Sequence, residues 1–168
     1  MTLAEAAAQG DELAQSGSER ELADLRTKWA DDLEGAARSS DFRERAVAFR
    51  AIGQFRWRAK EELLRRGLDD ESPACRGSAL LSLELMSRDH PSTINGVRAQ
   101  LHTLATADAN AAVRRLAILC LKNGSAERNT IVLLEGLAAD DEADAELRRA
   151  ASGVALHLKK KQQQPKRS

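Results

Sequence analysis

Apolar residues recur along most of this chain every three or four positions, the spacing that places them on one face of an α-helix. The first clear stripe is Leu22, Leu25, Trp29, Leu33 and Ala36, at i, i+3, i+7, i+11 and i+14. Ser18 and Glu21 stand ahead of it as a capping box, in which hydroxyl and carboxylate each satisfy an orphan backbone amide, and Ser39-Ser40 ends it. Upstream, residues 1–17 contain an Ala-rich stretch broken at Gln15-Ser16-Gly17, which predicts a flexible or loosely packed helix. Downstream, Trp57 to Leu68, Pro91 to Ala105 and Ala126 to Ala138 carry one-face pairs such as Leu101/Leu104 and Leu134/Leu137, and predict further helices.

From Asp41 onward the chain repeats itself. The segments starting at Asp41, Pro73, Ala111 and Ala145 share an apolar-Arg-x-x-Ala-like pattern, with Arg43, Arg76, Arg114 and Arg148 aligned at separations of 33, 38 and 34 residues. Acidic turns precede the last three: Asp69-Asp70-Glu71, Asp108, and Asp140-Asp141-Glu142. Each unit therefore holds two helices, the second reached through a turn such as Arg88-Asp89-His90-Pro91 or a stop such as Asn123-Gly124. Ser72-Pro73 has the form of an N-cap followed by a first-turn proline, and Ser18 and Ser125 also look like caps.

The run Asp70 to Ala79, Asp-x-x-Pro-x-(apolar)-Arg-x-x-Ala, resembles the first-helix signature of HEAT repeats. The resemblance covers about residues 41 to 158, and the short spacing is similar to the compact repeats of phycobilisome lyases. It implies an all-α fold, a right-handed α-solenoid of antiparallel helix pairs, with residues 18–158 as one domain of about three and a half repeats after an N-terminal helix. It also implies a charge ladder whose rungs here would be Asp70/Arg76, Asp108/Arg114 and Asp141/Arg148. Only Pro73 keeps the signature proline; Ala111 and Ala145 stand at the equivalent places.

Composition narrows the function classes. Aromatics are rare, at 3% with no Tyr, which favours helix over sheet. The 26 basic and 26 acidic side chains cancel, so any polyanionic partner must be met by a local patch. The longest apolar run, Leu116 to Leu121, is too short to span a membrane, and the start of the chain lacks the polarity of a secretory signal; the expectation is a cytoplasmic protein with no membrane partner. Cys75 and Cys120 sit in apolar helical patterns and are expected as buried reduced thiols.

Charge is nevertheless uneven. Residues 1–40 carry 4 basic against 9 acidic side chains, whereas residues 41–66 carry 8 against 4 and include Phe42, Phe49, Phe55 and Trp57. Interleaved cations and aromatics occur on nucleic-acid surfaces, but Phe42 and Phe49 keep one helical face and Trp57 with Leu64 another, as core residues do. Residues 159–168, with Lys159, Lys160 and Lys161, read as a disordered basic tail.

No catalytic constellation emerges. His90, His102 and His157 are scattered as turn or surface residues, without His-Glu or His-x-x-x-His spacing, and the acidic stretch at Asp140 lacks the glycine and terminal Glu of a calcium loop. The glycines are single, so none forms a phosphate cradle, and neither metal nor cofactor is expected. The expected function is a non-catalytic repeat module, a scaffold or adaptor, binding a protein partner. The alternative is nucleic-acid binding through residues 43–66, as HEAT-like DNA glycosylases do; a third, an accessory to a lyase-like enzyme, rests on the resemblance alone. Arg56, Arg58, Lys60, Arg65 and Arg98 are the candidate partner-binding residues.

Overall fold

A computed structural model describes residues 1–164. Among these there are ten α-helices, one 3₁₀ turn and no strand. The contacts gather into two compact units, Met1–Met86 and the chain from Ser87 onward, so the stretch 18–158 read as one array is divided between them.

The first unit comprises α1 (Leu3–Gln15), α2 (Glu19–Ala37), α3 (Phe42–Gln54), a 3₁₀ turn (Arg58–Lys60), α4 (Glu61–Leu68) and most of α5 (Pro73–Ser87). The first three helices pack mutually. Contrary to the expectation for residues 1–17, α1 is firmly seated: Ala6, Ala7 and Gly10 are buried. A Cβ at Gly10 would lie 2.5 Å from the Phe55 ring, so the missing side chain is what admits that fully buried aromatic beneath α1. The capping box also sits elsewhere than expected. Thr2 and Glu5 form one at the start of α1. Ser18 instead has ψ 66°, short of the extended backbone that aims a cap at the N3 amide, and its hydroxyl meets that of Ser16 at 2.9 Å.

Between α3 and α5 the approach is closer still. The buried Ser82 hydroxyl donates to the Phe49 carbonyl at 2.5 Å and accepts from the Gly53 amide at 3.0 Å. A Cβ at Gly53 would stand 2.6 Å from Ser82 Cα, so only glycine allows this crossing. Cys75 is buried as a free thiol, as is Cys120 in the second unit.

The second unit comprises α6 (Ser92–Asn95), α7 (Arg98–Ala107), α8 (Ala111–Leu121), α9 (Arg128–Ala138) and α10 (Ala145–Gln163). The helix expected from Pro91 to Ala105 is broken at Val97, whose ψ of 14° with φ −123° interrupts the ladder between α6 and α7. Helix α7 packs on α8, α9 on α10, and α8 on α10, around Leu101, Val113, Ile118, Leu134, Leu147 and Leu158. Ser125 does not cap α9; it forms a reciprocal pair with the Asn95 amide, accepting from Nδ2 and donating its own N–H to Oδ1, each at 2.9 Å. Helix α10 runs on through Gln163, so Lys159 to Lys161 are helical rather than part of a disordered tail. Burial of Leu158 carries the apolar stripe into the last turns, where cations also complement the helix dipole. Pro165 to Ser168, the rest of that expected tail, lie outside the described residues.

Candidate interaction face

Half of the cations in the basic segment, Arg45, Arg50, Arg56 and Lys60, are partly buried, whereas Arg43, Arg58, Arg65 and Arg66 are exposed. Arg56, which has a left-handed backbone at φ 50°, holds Asp11 of α1 at 2.7 Å and donates from the same nitrogen to the carbonyls of Gly53 and Gln54. Arg26 completes this corner, donating to the carbonyls of Phe55 and Arg56 at the end of α3. Burial holds the Arg26 guanidinium below its ordinary pKa. Lys60 reaches Glu34 at 2.6 Å and lies over the Trp57 ring. Arg98, in the second unit, engages Glu127, Asn95 and the Ser125 carbonyl. Of the five candidate residues, Arg58 and Arg65 remain exposed, and Arg58 lies 3.6 Å from Glu61. Phe49 and Phe55 are core, as the periodicity indicated, while Phe42 is exposed under the Arg43 guanidinium.

The repeated arginine has a structural register that differs from the sequence alignment. Arg45, Arg76, Arg114 and Arg148 are each the fourth residue of their helix, in α3, α5, α8 and α10. Arg45 and Arg76 also share a contact pattern. Arg45 Nη1 donates to the carbonyls six and five residues earlier, Ser39 and Ser40, and Arg76 Nη1 does the same to Asp70 and Glu71. The first member of the series is therefore Arg45, two residues after the expected Arg43, and the first separation is 31 residues rather than 33.

The rungs are correspondingly different. The Asp70 carboxylate receives Arg45, from the preceding helix pair, through two parallel bonds of 2.9 and 3.0 Å, and Arg76 takes the main-chain carbonyl of Asp70 instead. Asp70 also accepts the Ser72 amide at 2.9 Å. Burial raises the Asp70 carboxyl, but these hydrogen bonds and the Arg45 charge outweigh it and hold the group below the usual carboxylate range. Asp108 accepts the Asn110 amide in the same way, and Arg114 Nε donates to the Ala105 carbonyl at 2.9 Å. Asp141 is exposed, while Arg148 is half-buried with its Nε shielded from solvent and without an acceptor among the described residues.

Arg148 lies at the edge of the feature that the periodicity did not reveal. The outer sides of α9 and α10 form two adjoining shallow grooves of about 380 and 360 Å³, sharing Ala138 and Ser152. Alanines 139, 145 and 155 give this surface the smoothness that lets helices approach closely. Leu156 stands on it at 55% exposure, and Val132 of α9 is 58% exposed. Cations border it: Arg148 and Arg149 line one groove, and Lys159, paired with Glu135 at 3.1 Å, lines the other. On α10, Arg149, Ser152, Leu156 and Lys159 recur at helical spacing, an outward-facing series of two cations around one leucine.

Among the described residues no group of three or more His, Cys, Asp or Glu could hold a metal ion. His90 and His157 are exposed, whereas His102 is half-buried, 2.9 Å from the Thr130 hydroxyl, and burial pushes its pKa down. Among the described residues no helix is long and apolar enough to cross a membrane. Comparison with protein-family models and with curated proteins finds no match for the chain.

Proposed function

We propose that this chain is a non-catalytic, HEAT-like α-solenoid module that binds a protein partner, as a scaffold or adaptor, through the outer face of α9 and α10. The carrying observation is Leu156, 55% exposed on a smooth surface bordered by Arg149 and Lys159. Apolar area of this kind favours removal from water, and the bordering cations favour a partner with carboxylates at the rim of the contact. The recurrence of arginine at the fourth position of α3, α5, α8 and α10 supports the repeat reading.

The test is affinity capture from lysate of the source cell, with and without nuclease, using the natural chain, Leu156→Glu with Val132→Glu, and Arg65→Glu. Burying a carboxylate in place of an apolar side chain at an interface costs more than about 1.4 kcal/mol, a factor of ten in binding. Capture reduced at least tenfold by the paired substitution, unaffected by nuclease and by Arg65→Glu, is the expected result. Capture that follows Arg65 and disappears with nuclease would reverse it.

A further inference from the structure

The two ends of the sequence carry opposite charge on exposed helices. Residues 1–40 bear 9 acidic and 4 basic side chains, while α10 bears Glu146 against Arg148, Arg149, Lys159, Lys160 and Lys161. Between α1 and α2 there is a groove of about 230 Å³ with Leu13 and Leu25 in its lining and the carboxylates of Glu21 and Asp24 on its rim, with Lys28 as the one cation. Glu21 and Asp24 are exposed. Thus one surface presents a leucine flanked by cations, and the other a shallow groove with two leucines in its lining, flanked by carboxylates.

We infer that the occupant of the α9–α10 face is a second copy of this chain, whose α1–α2 groove receives Leu156 while Glu21 and Asp24 meet Arg149 and Lys159. The inference rests on the protein-binding reading of that face and names its partner. The two surfaces are different, so the contact is heterologous: a pair leaves one copy's groove and the other copy's leucine free, and growth continues unless a ring closes. Charge attraction across such an interface is screened over about 8 Å at physiological salt, so association weakens as salt rises.

The experiment is sedimentation velocity with light scattering on the full chain, at about 0.05, 0.15 and 1 M salt, the range over which the screening length contracts severalfold. Two variants each block one surface, Leu156→Ser with Arg149→Ser on α10, and Glu21→Arg with Asp24→Arg on α2. All four positions are solvent-exposed, and circular dichroism checks that both variants keep the helical fold. The natural chain should rise with concentration to at least twice its 18.3 kDa at low salt and fall towards that mass at high salt. Each variant alone should stay monomeric, and an equimolar mixture should form a one-to-one pair and stop there, because the intact groove of one meets the intact leucine of the other.

A natural chain that is monomeric at every concentration and salt overturns the inference. So does self-association that survives either double variant. If the chain is monomeric while Leu156→Glu with Val132→Glu still abolishes capture of another protein, the face stands and only its occupant is wrong. If capture is also unaffected, the functional reading falls with it.

Discussion

The guanidinium of Arg45 and the carboxylate of Asp70 form two parallel hydrogen bonds, at 2.9 and 3.0 Å, with side chains only 13% and 10% exposed. The pair ties the fourth residue of α3 to the turn that starts α5, 25 residues further along. Because Asp70 also accepts the Ser72 amide, one carboxylate holds both the previous helix pair and the entry to the next helix. Planar two-point pairing of this kind is specific to arginine; lysine offers one point charge.

Removing Arg45 should therefore cost far more than removing its neighbour. Arg45→Ala takes both guanidinium bonds from the shielded Asp70 carboxylate, a loss of about 1.5–3 kcal/mol for charge-assisted hydrogen bonds. Arg43→Ala removes a contact with the exposed Phe42 ring, worth about 0.5–1 kcal/mol at such sites. Urea denaturation of the two variants measures the difference, and equal midpoints would contradict the assigned register.

The same pair sets a pH dependence. The Asp70 carboxyl is held below its ordinary value in the folded chain, so its contribution is fully present above the unfolded value of about 3.9 and is lost as pH falls through the folded one. Asp70→Asn should lower stability at pH 6, and the gap from the natural chain should narrow below about pH 4. Denaturation midpoints from pH 2.5 to pH 7, at about 0.1 M salt, follow this; a gap that widens in acid would have the wrong sign.

Gly53→Ala should be among the most damaging single changes. The new methyl would stand 2.6 Å from Ser82 Cα, a backbone atom that cannot move without separating α3 from α5. Overpacking of this kind costs about 1–3 kcal/mol, and parting the helices also strains the two Ser82 hydrogen bonds. Gly35→Ala, where a Cβ meets nothing within 4 Å, is the control and should be neutral or slightly stabilising by helix propensity. A calorimetric melt of both variants separates packing from propensity.

Helical periodicity made the element types and much of the core legible. Leu22, Leu25 and Leu33 are buried, and α3, α5, α8 and α10 stand where the repeated arginine pattern put them. The register slipped by two at Arg43 because that segment reads Phe-Arg-Glu-Arg, and only main-chain contacts from Arg45 show which arginine is equivalent to Arg76. The rungs that the resemblance implies lie within a repeat, whereas the carboxylate of Asp70 turns back to the preceding pair. The candidate binding residues were chosen by local charge. Arg56, Lys60 and Arg98 are occupied by Asp11, Glu34 and Glu127, none adjacent in sequence. The α9–α10 face has a signal in the sequence: Leu156 lies off the Leu147, Ala151, Val154 and Leu158 stripe of its own helix.

Phosphate binding should be weak. With Arg56, Lys60 and Arg98 held in internal ion pairs, few cations of the expected nucleic-acid surface remain to displace counterions. Each phosphate contact contributes a log-log salt slope of roughly −0.7 to −0.9, so the slope counts them directly. Titration of labelled single- and double-stranded oligonucleotides should show no sub-micromolar binding at about 0.15 M salt. Tight binding abolished by Arg58→Glu with Arg65→Glu would assign the basic segment a nucleic-acid role.

Site-directed photocrosslinking tests the central claim most directly. A photoreactive aromatic residue is placed at position 156 in one sample and at position 65 in another, and both are irradiated in the source cell. The account predicts protein adducts from position 156 that withstand nuclease, and a much weaker yield from position 65. Adducts concentrated at position 65 and carrying nucleic acid, with none at position 156, would contradict it.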